Sequence, residues 1–192
     1  MLATPSTGII STGCYEASKG GSLAIVDVKQ PLSPTLVWFE KTPLEYEDAE
    51  TMLPLEGNRL LVCTRDLFLF DVSDHANPKQ LVAIKDRPRV VTINGCARLG
   101  DSVFAANKLG HIFAVEVSTP DAVKLLGSRE TRECGELSSP HDAAFCDDLL
   151  VVVSPEGFGG MSRPGRLAVY RVADSRTRAL LPPDEWSLVG RL

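Results

Sequence analysis

Apolar residues in this chain fall into short runs of about four to six, and Gly, Asp, Asn or Pro separates one run from the next. One run recurs. Residues 23–28 read LAIVDV, 67–72 LFLFDV, 112–117 IFAVEV and 167–172 LAVYRV, at intervals of 44, 45 and 55 residues. Its fifth position is charged in every copy (Asp27, Asp71, Glu116, Arg171) and its sixth is always Val. Gly21, Gly110 and Gly165 stand two residues upstream of three of the copies.

The flanking runs keep the same order. Each copy is followed by a polar turn and another apolar run, at 35–40, 80–85, 123–128 and 186–191. Each is preceded by one, at 8–15, 59–64, 102–107 and 149–154. The last three copies have a further run before that, at 51–57, 94–100 and 141–147. A helix would space its apolar positions by three and four; these runs and alternations predict strands. Four short strands, A to D, in a unit of about 44 residues describe a propeller blade. One blade cannot cover both of its apolar faces, whereas neighbours packed around an axis do so.

The stretches GSLAIVDVKQPLSPTLV and DLFLFDVSDHANPKQLV resemble the LVIVD repeat of bacterial and archaeal β-propellers. GHIFAVEVSTPDAVKLL is similar, and GRLAVYRVADS departs from the pattern at Arg171. No Trp-Asp dipeptide closes strand C, so the pattern is not that of WD repeats. The resemblance implies an all-β propeller, often found on secreted or surface proteins, and carries no catalytic motif. The acid after strand C has a structural role open to it: Asp27 and Asp71 are placed to accept N–H groups of the turn that follows.

The expected fold is all-β, a partial or four-bladed propeller of about four antiparallel, four-stranded blades in a single domain over 1–192. The blades span about 7–41, 50–86, 92–129 and 140–192. About seven residues precede the first strand B, too few for another strand and turn, so the first blade is expected to lack its inner strand. Three arrangements fit: an incomplete arc, two chains closing one eight-bladed ring, or a four-bladed ring with a three-stranded first blade. An arc leaves an apolar flank at each end, which implies a protein partner or self-association through exposed blade flanks.

Charge and cysteine content narrow the partners. The net charge is −5 and no Lys/Arg-rich run occurs, which argues against a nucleic-acid partner. No apolar stretch approaches the roughly 20 residues of a membrane span, and MLATPSTG has neither a basic start nor an apolar core, so the chain as written reads as cytoplasmic. The five cysteines form no C-x-x-C pair; Cys14, Cys63, Cys96 and Cys146 lie among apolar neighbours and are expected to be buried thiols.

In a blade the D–A and B–C connections share one rim. That rim collects the long loops 42–50, 87–90, 129–142 and 154–165, and is the expected binding surface. The inner strands start at Thr51, Asn94 and His141, positions expected to face the channel mouth. His141 with Asp142 suggests a metal ligand or general base; the structural alternative is a His bonded to the next blade's backbone. A metal site needs three or more suitable ligands, and Thr51 and Asn94 are poor ones, while His75 and His111 lie in other turns. Cys134 and Cys146 flank His141 only in sequence. GFGG (157–160) opens no helix and reads as a hairpin tip. Trp38 and Trp186 read as packing aromatics. The resulting expectation is a non-enzymatic interaction scaffold with no metal and no cofactor. The alternative is a propeller enzyme, a hydrolase, lactonase or oxidase, with its site around His141.

Overall fold

The computed structural model describes residues 2–4, 7–12, 21–42, 49–85, 93–119, 123–155, 165–177 and 179–192. These residues form four separate antiparallel sheets of four strands, each a simple meander in chain order. The first sheet contains β1 (Leu2–Thr4), β2 (Thr7–Thr12), β3 (Gly21–Asp27) and β4 (Thr35–Thr42). The second contains β5 (Thr51–Leu55), β6 (Arg59–Cys63), β7 (Leu67–Asp71) and β8 (Lys79–Ile84). The third contains β9 (Ile93–Leu99), β10 (Ser102–Asn107), β11 (His111–Glu116) and β12 (Lys124–Glu130). The fourth contains β13 (Asp142–Cys146), β14 (Leu149–Ser154), β15 (Arg166–Arg171) and β16 (Ser187–Arg191). The repeated run is the third strand of every sheet. No helix among the described residues is long and apolar enough to cross a membrane.

The first sheet corrects one expectation. It has an inner strand, because Leu2, Ala3 and Thr4 pair with Ile9, Gly8 and Thr7. Three residues suffice for a short edge strand, so the few residues before β2 are enough.

The chain divides into two compact units, Met1–Asp86 with the first two sheets and Arg87–Leu192 with the last two. In the first unit Leu23 packs with Met52, Leu60, Val62, Phe68 and Phe70, and Trp38 covers the cluster. In the second, Phe104, Ala106, Ile112 and Ala114 of the third sheet meet Leu150, Val152, Ala168 and Tyr170 of the fourth. Phe104 touches Phe145 edge-on at 5.3 Å and Trp186 at 5.2 Å between ring centroids. The Trp186 indole N–H donates to the Leu181 carbonyl at 2.9 Å, so this ring is buried with its polar group satisfied. Trp38 and Trp186 are packing aromatics, as their sequence context suggests.

Two local devices recur with the repeat. The first is the turn acid. Asp27 accepts the Lys29 N–H and Asp71 the Ser73 N–H, both at 2.8 Å. Glu116 serves its turn through the Ser118 hydroxyl at 3.1 Å and Lys124 at 3.0 Å. Arg171 breaks the pattern, and Asp174 takes over three residues later, accepting the Arg176 and Thr177 N–H groups at 3.0 and 2.7 Å. The second device is a bulge. In all four sheets the pairing of third and fourth strands slips by one residue at the same repeat position: Ile25/Val26, Leu69/Phe70, Ala114/Val115 and Val169/Tyr170. The residue left over on the outer strand is Val37, Leu81, Leu126 or Val189. A bulge bends and twists its strand, and a twisted edge resists pairing with other chains.

The turn acids set an acid limit. Backbone N–H groups hold the Asp27 and Asp71 carboxyls below the ordinary carboxylate range, and the Thr177 N–H does so for Asp174. A carboxyl depressed by folding stabilises the fold above its unfolded pKa of about 4 and loses that contribution as pH falls through the lower folded value. Urea denaturation across a pH series should therefore show wild type and Asp71→Asn converging in stability below about pH 4; a gap independent of pH would count against the role of the charge.

Candidate functional site

The long segment between the third and fourth sheets is the described part of the expected binding rim. Loops 43–48, 87–90 and 156–164 lie outside the described residues. Glu130, the last residue of β12, starts the segment by accepting the Arg132 and Glu133 N–H groups at 2.7 and 3.0 Å. The Thr131 N–H donates to the Gly110 carbonyl at 2.7 Å, and its hydroxyl lies 2.9 Å from both the Gly110 and Leu137 carbonyls. The Arg132 guanidinium donates to the Ser138 and Lys108 carbonyls at 2.7 and 3.0 Å. Gly110 has φ +96°, and a Cβ there would stand 2.5 Å from Arg132 Cβ. This close approach explains the glycine two residues ahead of the third copy of the repeat.

A part-buried ionic contact fastens the segment inward. The Arg129 guanidinium is paired with the Glu136 carboxylate, Nε to Oε2 at 3.1 Å and Nη2 to Oε1 closer, and donates to the Trp186 carbonyl at 2.9 Å. The Arg129 guanidinium carbon also lies 5.9 Å from the centre of the Tyr170 ring, within cation–π range. Glu136 raises the Arg129 pKa, and burial, followed by the Glu136 charge, pushes the Tyr170 hydroxyl up. Thr131, Glu136, Leu137 and Ser139 are buried, while Arg132, Glu133, Cys134 and Gly135 are exposed. Half of the stretch 131–140 within this expected binding loop is therefore interior structure. Sequence reading missed the Arg129–Glu136 pair, because six residues separate two charges that only the fold brings together.

The segment ends at His141, whose N–H donates to the Val153 carbonyl at 2.8 Å. Its Nε2 lies 3.0 Å from the Asn94 side-chain nitrogen. With that amide donating, Nε2 is the accepting nitrogen and the imidazole proton sits on Nδ1. His141 thus joins the start of β13 to β9 through a side chain of the preceding sheet. Asp142 is exposed and its Oδ1 accepts the Ala143 N–H at 2.8 Å. Gly95 lies between them: a Cβ there would fall 2.4 Å from Asp142 Cα and 2.7 Å from the His141 carbonyl oxygen. Asn94, His141 and Asp142 come together. Thr51 is half-buried opposite Cys63 at the start of β5, in the other unit.

The remaining candidates are dispersed. His75 Nδ1 is 3.3 Å from the Thr7 hydroxyl, and His111 Nε2 is 2.9 Å from the Glu130 carboxylate. Among the described residues no three His, Cys, Asp or Glu side chains gather where a metal ion would bind. Cys63 is buried and Cys96 half-buried, but Cys146 is exposed, contrary to expectation, as is Cys134. Cys146 shares the outward face of β13 with Asp142 and Ala144, so an apolar neighbourhood in sequence did not translate into cover. Cys14 lies outside the described residues. His141 and Asp142 line an open groove of about 530 Å³ together with Val153, Pro155, Arg166, Leu167 and Leu192.

Comparison with known proteins places the fold. No family model matches the chain and no curated protein does. Among solved structures, it is similar to the computationally designed Ika4 protein (TM-score 0.54, 15% identity, 84% of this chain and 83% of that one). It is also similar to Chaetomium thermophilum Sqt1, a WD40-like β-propeller, both alone (TM-score 0.60, 15% identity, 85% of this chain, 40% of Sqt1) and bound to the N-terminus of ribosomal protein L10 (TM-score 0.59, 16% identity, 85% of this chain, 42% of Sqt1). The chain spans about two fifths of Sqt1. Its own fold is a β-propeller fold with four blades.

The close approach at Gly95 makes a direct prediction. Ala is ordinarily the better strand residue, yet Gly95→Ala should destabilise the protein, by about 1–3 kcal/mol for overpacking, because the added methyl meets backbone rather than a movable side chain. Thermal or urea unfolding of the variant measures this; unchanged or increased stability would contradict the packing of β9 on the start of β13.

Proposed function

We propose that this chain is a non-enzymatic interaction scaffold built from LVIVD-type blades, a single propeller over 1–192 whose long-loop rim meets a protein partner. The channel mouth in this reading is lined by Thr51, Asn94, His141 and Asp142. The observation that carries the proposal is the hydrogen bond between Asn94 and His141. It engages the most chemically suggestive side chain in joining two inner strands, where a general base or metal ligand would turn its accepting nitrogen toward a substrate or ion. Sqt1, similar in fold, is bound to the N-terminus of ribosomal protein L10, which gives the reading a precedent in fold. The turn acids at Asp27 and Asp71 agree with the structural role expected of them and leave them outside any chemistry.

Elemental analysis of the purified protein, wild type and His141→Ala, tests this against the enzyme alternative. The expected result is no near-stoichiometric zinc, iron or manganese in either protein. His141→Ala should cost about 1–3 kcal/mol of stability through the polar group it leaves unmatched. Near-stoichiometric metal in wild type that falls in the variant would overturn the scaffold reading and make His141 and Asp142 the centre of an active site.

A further inference from the structure

Successive sheets of a blade array use two different faces, and the second unit shows both. The third sheet meets the fourth through Ala97, Phe104, Ala106, Ile112 and Ala114, all 7% exposed or less. In the alignment of the repeats these positions correspond to Ala144, Val151, Val153, Leu167 and Val169 of the fourth sheet. That set is as apolar as its counterpart, yet every member is half-buried or exposed, with Val153 at 41%. The strands record the same difference: β10 is buried at five of its six positions, whereas β14 alternates, buried on one face alone. The groove beside His141 lies on this outward face.

The first sheet presents the opposite face. Leu23 and Ile25 are buried, Leu23 against the second sheet. The other side of β3, Ala24 and Val26, is half-buried, and their register partners on β4, Phe39 and Leu36, are 53% and 63% exposed. Ala24 and Val26 correspond in the repeat to Ala168 and Tyr170, the residues with which the fourth sheet receives the third. The chain therefore carries one unfilled donor flank and one unfilled acceptor flank of the kind that its own third and fourth sheets join.

We infer that the outward face of the fourth sheet is a docking seat for the first sheet of a second copy of this chain. The inference rests on the propeller reading above. The occupant follows from shape and chemistry together: the seat repeats a surface that this chain already fills with a blade of its own repeat, and the matching blade face stands exposed in the same sequence. Both faces are apolar, so burial drives the contact. A twofold dimer in which the seat of each copy receives the first sheet of the other would fill both seats and leave no open flank.

Sedimentation velocity of the full chain over a concentration series tests this. Wild type should run as a dimer. Val153→Asp and Phe39→Asp should each weaken association about tenfold or more, since each puts an unpaired carboxylate into the contact. Both positions are exposed in the folded chain, and Ala144→Asp and Leu36→Asp serve as second variants should either fail to fold. A monodisperse wild-type monomer would overturn the inference. So would an assembly that none of these substitutions weakens. Metal content is read independently, so failure of the scaffold reading and failure of the docking seat are told apart.

Discussion

A small twisted sheet of mostly apolar residues has two faces, and neither tolerates water well. Everything distinctive about this chain follows from covering both. The central strands of the second and third sheets, LLVC (60–63), LFLF (67–70), VFAAN (103–107) and IFAV (112–115), are buried at consecutive positions. A strand that faced water on one side would alternate. These runs are therefore both a product of stacking and a demand for it. Individual interactions, including the Arg129–Glu136 pair, act within a frame that this demand has set.

Stacking moves the cost to edges and connections, and there the repeat carries its fixed polar chemistry. The outer strands β8, β12 and β16 are largely exposed or half-buried along their length. The bulge at one repeat position gives each of them a bend. Strand ends need their backbone donors satisfied as the chain turns away, and the acid at position five of the motif supplies an acceptor in the first three copies. Asp174 standing in for Arg171 shows that the turn requires the carboxylate more than it requires that particular position. On the other side, the short turns between first and second strands need left-handed backbone, and Gly57, Asn58, Gly100 and Asp147 adopt it, with φ between 55 and 71°. Gly, Asn and Asp are the residues that do so at least cost.

These local requirements explain what was legible. The second strands of the third and fourth sheets were readable to the residue, at 102–107 and 149–154, because periodicity and turn residues bound them on both sides. The fold class was readable because the motif repeats. β1 was not, since three residues carry no periodicity and only pairing with β2 defines them. The bulges were invisible because a slip in register belongs to two strands at once. The exposure of Cys146 was misread because cover on a blade flank depends on the neighbouring sheet and not on neighbours in sequence. The crossover from Arg129 to Ser139 looked like a surface loop, being long and polar; Thr131, Glu136 and Leu137 are buried because Gly110, Arg129 and the core around Tyr170 supply partners from elsewhere in the chain.

The same logic bears on the start of the fourth sheet, where structure and chemistry compete for His141. β9 and the start of β13 approach closely, as the absence of a side chain at Gly95 shows. A close approach of this kind suits a catalytic centre, because groups from two sheets can reach it, and equally needs fastening, because backbone is packed against backbone there. Asn94 and His141 answer the second need: a short polar side chain and a ring nitrogen meet at 3.0 Å beside the contact that Gly95 permits. An imidazole held by its accepting nitrogen has given up the atom through which it would take a proton or bind a metal. The contact that makes the inner strands fit is thus the one that argues against reading His141 as a catalytic base, and it ties the functional proposal to packing.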